Sequence, residues 1–233
     1  MVSSSYPPLT ALRAFDACRL IPSRFADTND SVLSPLAETN AELTALFEID
    51  NATNDRLIAE SGNSVGIGID ELVFGVPHFH IINAAFSYAR PEGSRFNNSE
   101  RGAWYCALTH SAALAEVIFH KTVEYQEINY FHDTVRYQEF LADFSASFHD
   151  LRNDGRFQAC LSPTTYIASQ ALAESLLQQQ SLGIIYPSVR KKRGTNIACF
   201  RPALVGNVRK AKILQLRWSG GTTPSVETIV PDA

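Results

Sequence analysis

Arg95-Phe96-Asn97-Asn98, a polar passage through Gly102, the short apolar run Ala103-Trp104-Tyr105-Cys106-Ala107-Leu108 and the helix-like stretch Ser111 to Val123 form the most informative part of the chain. The apolar run is too short for a helix and rich enough in aromatic residues to be a strand. Thr109 or Ser111 is placed to cap the helix that follows, since a side-chain oxygen there accepts from the first free N–H groups. A polar turn, a strand and a helix thus succeed one another within thirty residues. Glu116 stands on that helix with Ala112, Ala113, Phe119 and His120 as its three- and four-residue neighbours, a face with little charge to pair with it. An isolated carboxylate of this kind is either an ordinary exposed helix residue or a group held for chemistry. Arg95 alone reads equally as a surface arginine, and Tyr105 alone as core packing.

Working outward, a helical region spans about Pro35 to Glu60, where Leu43, Leu46, Phe47, Leu57 and Ile58 recur at roughly helical spacing. The stretch Glu71 to Tyr88 is hydrophobic and contains histidines, and its periodicity decides for neither helix nor strand. Downstream, Ser162 as N-cap, Pro163 at the first helical position and Gly183 past the end frame a helix through Leu172, Leu176 and Leu177. Strands are expected at Gly183–Tyr186, Asn196–Phe200 and Ala211–Trp218. The result is a mixed α/β (α+β) chain without the regular βαβ rhythm of a doubly wound sheet.

Composition narrows the function classes. The chain has 233 residues, a formal net charge of −4 and 45% hydrophobic residues, enough for a sizeable core in one domain. Cys18, Cys106, Cys160 and Cys199 lie far apart among apolar neighbours, as buried free thiols in a reducing compartment do. Without a CxxC pair, no structural metal is expected. Neither a signal-peptide pattern nor a membrane-length apolar run is present, so a soluble, cytoplasmic protein is expected. Mild acidity argues against a dedicated nucleic-acid binder. From Arg190 to Trp218, however, there are Lys and Arg and no Asp or Glu, which marks an anion-binding face or solvated strand edges.

Three motifs are discounted. Gly66-Ile67-Gly68 lacks the third glycine and the helix of a dinucleotide fingerprint and reads as a turn. His78 and His80 have no nearby Cys or carboxylate to complete a metal set. Ser188, in Tyr186-Pro187-Ser188-Val189, is not in the GxSxG turn of an α/β-hydrolase.

The combination of Arg95-Phe96-Asn97, Tyr105, Glu116, Tyr186-Pro187-Ser188-Val189-Arg190 and Gly194-Thr195-Asn196 resembles the RES-domain family. Cys18-Arg19-Leu20-Ile21-Pro22-Ser23-Arg24-Phe25 is similar to the opening of one branch of it. The name denotes an arginine, a glutamate and a serine, carried here by Arg19 or Arg95, Glu116 and Ser188. The resemblance runs from about residue 19 to 218 and implies a single domain with a compact ADP-ribosyltransferase-like β core, surrounding helices and a helical insertion at about 35–60. It also implies cleavage of NAD at the nicotinamide–ribose bond, with water or phosphate as acceptor, and an Xre-type antitoxin partner covering the site. No resident cofactor is implied, NAD being the substrate. The insertion separates Arg19 from Arg95 and offers a surface for a partner or for a homo-oligomer.

The residue types suit that chemistry. Arginine forks bind phosphate oxygens in a bidentate way, so Arg95, Arg19 and Arg190 are candidate clamps. A fixed carboxylate at Glu116 would stabilise the positive charge that develops on the ribose. Tyr105 is a candidate for stacking on nicotinamide or donating to the ribose, Ser188 for bonding the ribose or the carboxamide, and Asn97 for fixing its turn or touching substrate. Three other readings stand beside this one: ADP-ribosyl transfer to a macromolecule, a non-catalytic module that binds nucleotide or a partner, and nucleic-acid binding by the basic C-terminal stretch, which has few interleaved aromatics beyond Phe200 and Trp218.

Overall fold

The computed structural model describes residues 6–26 and 66–229. The helical insertion expected at about 35–60 lies outside the described residues. The element that organises the rest is a long strand that simple periodicity does not flag, His132–Asp150 (β3). It pairs antiparallel along one edge with Leu9–Pro22 (β1), in a register running from Leu9↔His149 to Pro22↔Tyr137. Along its other edge it pairs antiparallel with Gly206–Ser219 (β6), and at its end, through His149↔Ile184 and Asp150↔Ile185, parallel with Gly183–Pro187 (β4). Trp104–Ala107 (β2), Thr195–Cys199 (β5) and Ser225–Ile229 (β7) complete a seven-stranded sheet in the order β1-β2-β5-β4-β3-β6-β7. Because β1 also meets β2 at Cys18↔Ala107, the pairings of β1, β2, β5, β4 and β3 return on themselves.

β4 and β5 are buried almost throughout, as strands covered on both faces are, which is why their short apolar runs are visible in sequence. β3 alternates only at its ends, and Tyr137, Gln138, Glu139 and Phe140 are buried consecutively. Such a stretch is tolerated because its polar members are satisfied. Gln138 donates to the carbonyls of Ala211 and Lys212, and Glu139 is met by Cys18 and His110. Where β1 and β3 slip register between Ala14 and Ala17, Asp16 takes a left-handed φ of 58°, as Asp does at small steric cost, and pairs with Arg209, which also holds Asp143.

Three α-helices among the described residues cover the sheet. Phe79–Ser87 (α1) resolves the ambiguous histidine-containing stretch as a helix with six of its nine residues buried. His78 sits at its left-handed entry against Phe140, at 5.5 Å between ring centroids. His110–Glu127 (α2) starts at Thr109, whose side chain accepts from the Ala112 N–H. Ile167–Gln178 (α3) begins later than expected. Ser162 does accept from the N–H groups of Thr164 and Thr165, but in a turn ahead of the helix. The carbonyls of Ser162 and Pro163 face arginines instead of joining a helical ladder. The central core joins Trp104, Phe86, Phe140, Phe148, Ile185 and Ile197, and a second cluster under α3 joins Phe96, Leu172, Leu176, Ile184 and Phe200. Gly66 occupies a left-handed bend against the Glu100 carbonyl, a close turn and not the start of a helix. All four cysteines are buried free thiols. No helix among the described residues is long and apolar enough to cross a membrane.

Candidate functional site

The turn at Arg95–Asn97 is closed by backbone bonding between Ser94 and Asn97 and tied to β2 by one hydroxyl. Tyr105 Oη accepts from the Phe96 N–H at 2.8 Å and donates to Asn97 Oδ1 at 2.8 Å. Both bonds explain why polar turn and strand occur together in sequence: one aromatic residue spans them. Burial pushes the Tyr105 phenol above its ordinary range, so it stays a neutral donor. Phe96 meets Tyr186 edge-on at 4.8 Å, which fixes the turn against β4. Arg95 is thereby directed inward. Only 7% of it is exposed, its Nη1 donates to the carbonyls of Cys160 (3.1 Å) and Ser162 (2.7 Å), and its guanidinium lies 4.8 Å from the centroid of Tyr166.

Glu116 projects from the middle of α2. Its Oε1 accepts from Ser188 Oγ at 2.8 Å and from Asn196 Nδ2 at 2.9 Å. Ser188 belongs to the loop after β4, folded back by its N–H to the Gly194 carbonyl. Its hydroxyl also accepts from the N–H groups of Arg190 and Lys191. Gly194 is required in this loop, because a Cβ would lie 2.9 Å from Ser188 Cβ and 3.0 Å from Ala112 Cβ. The loop therefore packs on the first turn of α2, and two neutral donors fix one oxygen of the carboxylate. Neither bond engages Oε2.

Arg19 and Arg190 complete the walls. Arg19, on β1, donates Nη1 to the Tyr105 carbonyl at 3.0 Å and lies 4.8 Å from the Trp104 ring. Burial lowers its pKa to about 10, which still leaves it charged at neutral pH. Its buried Nε has no hydrogen-bond partner among the described residues. Arg190 lies over Phe119, 3.3 Å from the ring centroid, and donates to the Pro163 carbonyl at 2.6 Å. Burial lowers its pKa too, against the opposing attraction of Glu116.

Arg19, Arg95, Tyr105, Glu116 and Arg190 all border one cavity of about 850 Å³, within the range of small-molecule sites. Ser188 and Asn97 do not border it: they stand behind Glu116 and Tyr105 and hold them. Arg90, His120 and Asn196 also belong to the wall. Arg90 reaches the rim 3.7 Å from Glu124, and Asn196 is only 3% exposed. His120 has its pKa lowered first by burial and then by Arg90. Of these, only Asn196 carried a usable signal, in Gly194-Thr195-Asn196. The basic stretch, read as an anion-binding face or solvated strand edges, divides: Arg190 enters the cavity, while Arg201 pairs with Glu71 and Arg209 with Asp16 and Asp143.

Among solved structures, the chain is similar to the M. tuberculosis MbcT–MbcA toxin–antitoxin complex at 12% identity, with 89% of this chain and 87% of that chain covered and a TM-score of 0.46. No curated protein sequence matches. The RES domain profile matches residues 72–219, a span that contains Arg95, Tyr105, Glu116 and Ser188 and begins after Arg19. The matched span is more than half of the chain, and this chain belongs to the RES-domain family.

Proposed function

We propose that the protein degrades NAD by cleaving the bond between nicotinamide and ribose. The observation that carries this reading is the state of Glu116: Ser188 and Asn196 fix one carboxylate oxygen while the residue borders a cavity walled by arginines. In the reaction the C1′–N bond breaks with its electron pair going to the nicotinamide nitrogen, which turns a pyridinium into a neutral leaving group. No general acid is needed. Positive charge develops on the ribose, and a carboxylate already oriented by neutral donors stabilises it without reorganising. The acceptor then bonds to C1′; water loses a proton, and phosphate attacks as an anion.

The arginines supply the complementary half. Arg19 and Arg95 each use one terminal nitrogen on protein carbonyls in the bonds described, which leaves other N–H groups of the fork for the pyrophosphate of the substrate. Tyr105, with its hydroxyl committed to the turn, serves by its ring and by holding the motif. As a toxin-like enzyme acting in the cytoplasm, the protein would be restrained by an Xre-type antitoxin across the cavity.

The test is incubation of the purified protein with NAD, with and without phosphate, and identification of the products. Free ADP-ribose indicates hydrolysis and a phosphate-dependent product indicates phosphorolysis. Glu116→Gln should lower turnover roughly a hundredfold or more, as removal of one transition-state electrostatic contact does. Intact NAD, label transferred to a macromolecule, or wild-type turnover in Glu116→Gln would each overturn the reading.

A further inference from the structure

Beside the cavity, Cys18 of β1, His110 at the start of α2 and Glu139 of β3 converge from three distant parts of the chain. Cys18 Sγ donates to Glu139 Oε1 at 3.0 Å, and His110 Nδ1 shares the same oxygen at 2.6 Å. One potential ligand atom from each residue lies within 4.8 Å of the other two. We propose that these three side chains form a binding site for a zinc-class divalent cation.

Geometry, charge and access support this. Bonds of about 2.0–2.2 Å to nitrogen and oxygen and about 2.3 Å to sulfur put tetrahedral ligand atoms roughly 3.3–3.6 Å apart. The present contacts to Glu139 open to that spacing by less than about 1 Å. A thiolate and a carboxylate together balance a dication, and neutral imidazole adds a soft-to-borderline nitrogen. Sulfur and imidazole select zinc or cobalt over magnesium and calcium. On binding, the thiol proton leaves to solvent, and His110 supplies the Nδ1 lone pair as its Nε2–H tautomer. Cys18 is 1% exposed and the Glu139 side chain 6%, whereas the His110 side chain is 33% exposed, so an ion enters past His110. Three protein ligands leave one position for water.

The surroundings give the ion a consequence. Cys18 immediately precedes Arg19 and itself borders the cavity, and His110 opens the helix that carries Glu116. An ion held by all three residues ties β1, β3 and α2 together beside the candidate active site. Without a metal, the same groups serve as partners of a buried glutamate, and burial and the bond to Glu139 keep the thiol protonated.

Titration of the full chain with Co²⁺ tests the site directly. The wild type should show a near-ultraviolet thiolate-to-cobalt charge-transfer band saturating at one equivalent. Cys18→Ser should abolish it, Cys160→Ser should keep it, and His110→Ala should weaken cobalt affinity at least tenfold. Zn²⁺ at a hundredfold excess over Kd should raise the wild-type Tm by about 5–10 °C and leave that of Cys18→Ser unchanged. Circular dichroism establishes that each variant is folded. A wild type with neither band nor Tm shift, or a band undiminished in folded Cys18→Ser, overturns the proposal. NAD turnover is read separately, so the failure of either idea is distinguishable from failure of the other.

Discussion

Replacing Ser188 by alanine removes one of the two donors on Glu116 Oε1 without touching the cavity wall itself. A hydrogen bond to a charged group contributes about 1.5–3 kcal/mol. If that interaction is fully expressed in the transition state, its loss lowers kcat roughly 10- to 150-fold. Ser188 and Glu116 are both half-buried, so water partly replaces the hydroxyl and the expected loss is about 10- to 30-fold. Because Ser188 acts through Glu116, KM for NAD should change little. The assay is steady-state NAD consumption followed by chromatography for four proteins: wild type, Ser188→Ala, Glu116→Gln and the double variant. Once the carboxylate is gone, the hydroxyl has nothing left to orient, so the double variant should be no slower than Glu116→Gln alone. Turnover of Ser188→Ala within twofold of wild type would refute the reasoning. So would a double variant slowed by the product of the two single effects, which would mean that Ser188 works on the substrate independently.

Further outcomes follow from the same contacts. Arg190→Lys keeps the charge but loses the planar stack on Phe119 and the fork geometry at Pro163, and should raise KM for NAD roughly 3- to 30-fold with a smaller effect on kcat. Glu71 is bonded by both terminal nitrogens of Arg101 and by Arg201, and Arg101 first of all holds its carboxyl below the ordinary value of 4.5. A lowered folded-state pKa contributes stability that is complete above about pH 4.5 and is lost as pH falls through the folded value. Chemical denaturation across pH 3 to 7 should therefore show a steeper acid loss in the wild type than in Glu71→Gln. Gly183→Ala places a Cβ 2.3 Å from the Ala198 carbonyl at a φ of 142°, and should cost about 1–3 kcal/mol in the same assay.

Sequence reveals those parts of this protein whose physics is local. β2, β4 and β5 are short apolar runs with punctuation, and α2 has its cap at Thr109, so their approximate positions can be read directly. β1 and β3 escape notice because they carry Arg19, Gln138, Glu139 and Asp143 inside the strands. What makes those residues acceptable is supplied by partners far away in the chain, such as Cys18 for Glu139 and Arg209 for Asp143. The start of α3 fails for a related reason: Ser162-Pro163 has the chemistry of a helix start, but its carbonyls are drawn to Arg95 and Arg190. At the site, Arg95, Tyr105 and Glu116 lie close enough in sequence to be read as one motif. Their division of labour was not legible. Only packing shows that Ser188 and Asn97 stand behind the wall, and that Arg90 and His120 belong to it.

The pairing of β1 with β3 also orders events during synthesis. Chains emerge at roughly 5–20 residues per second. β1 leaves the ribosome before β3, yet that long partner ends at Asp150 and the donors that orient Glu116 arrive only with Ser188 and Asn196. For many seconds Arg19 and Glu116 coexist on a nascent chain that cannot assemble the arrangement between them. Under the proposed function, NAD cleavage would be silent until the chain has been made through Asn196, and a product terminated before Ser188 would lack both donors on Glu116.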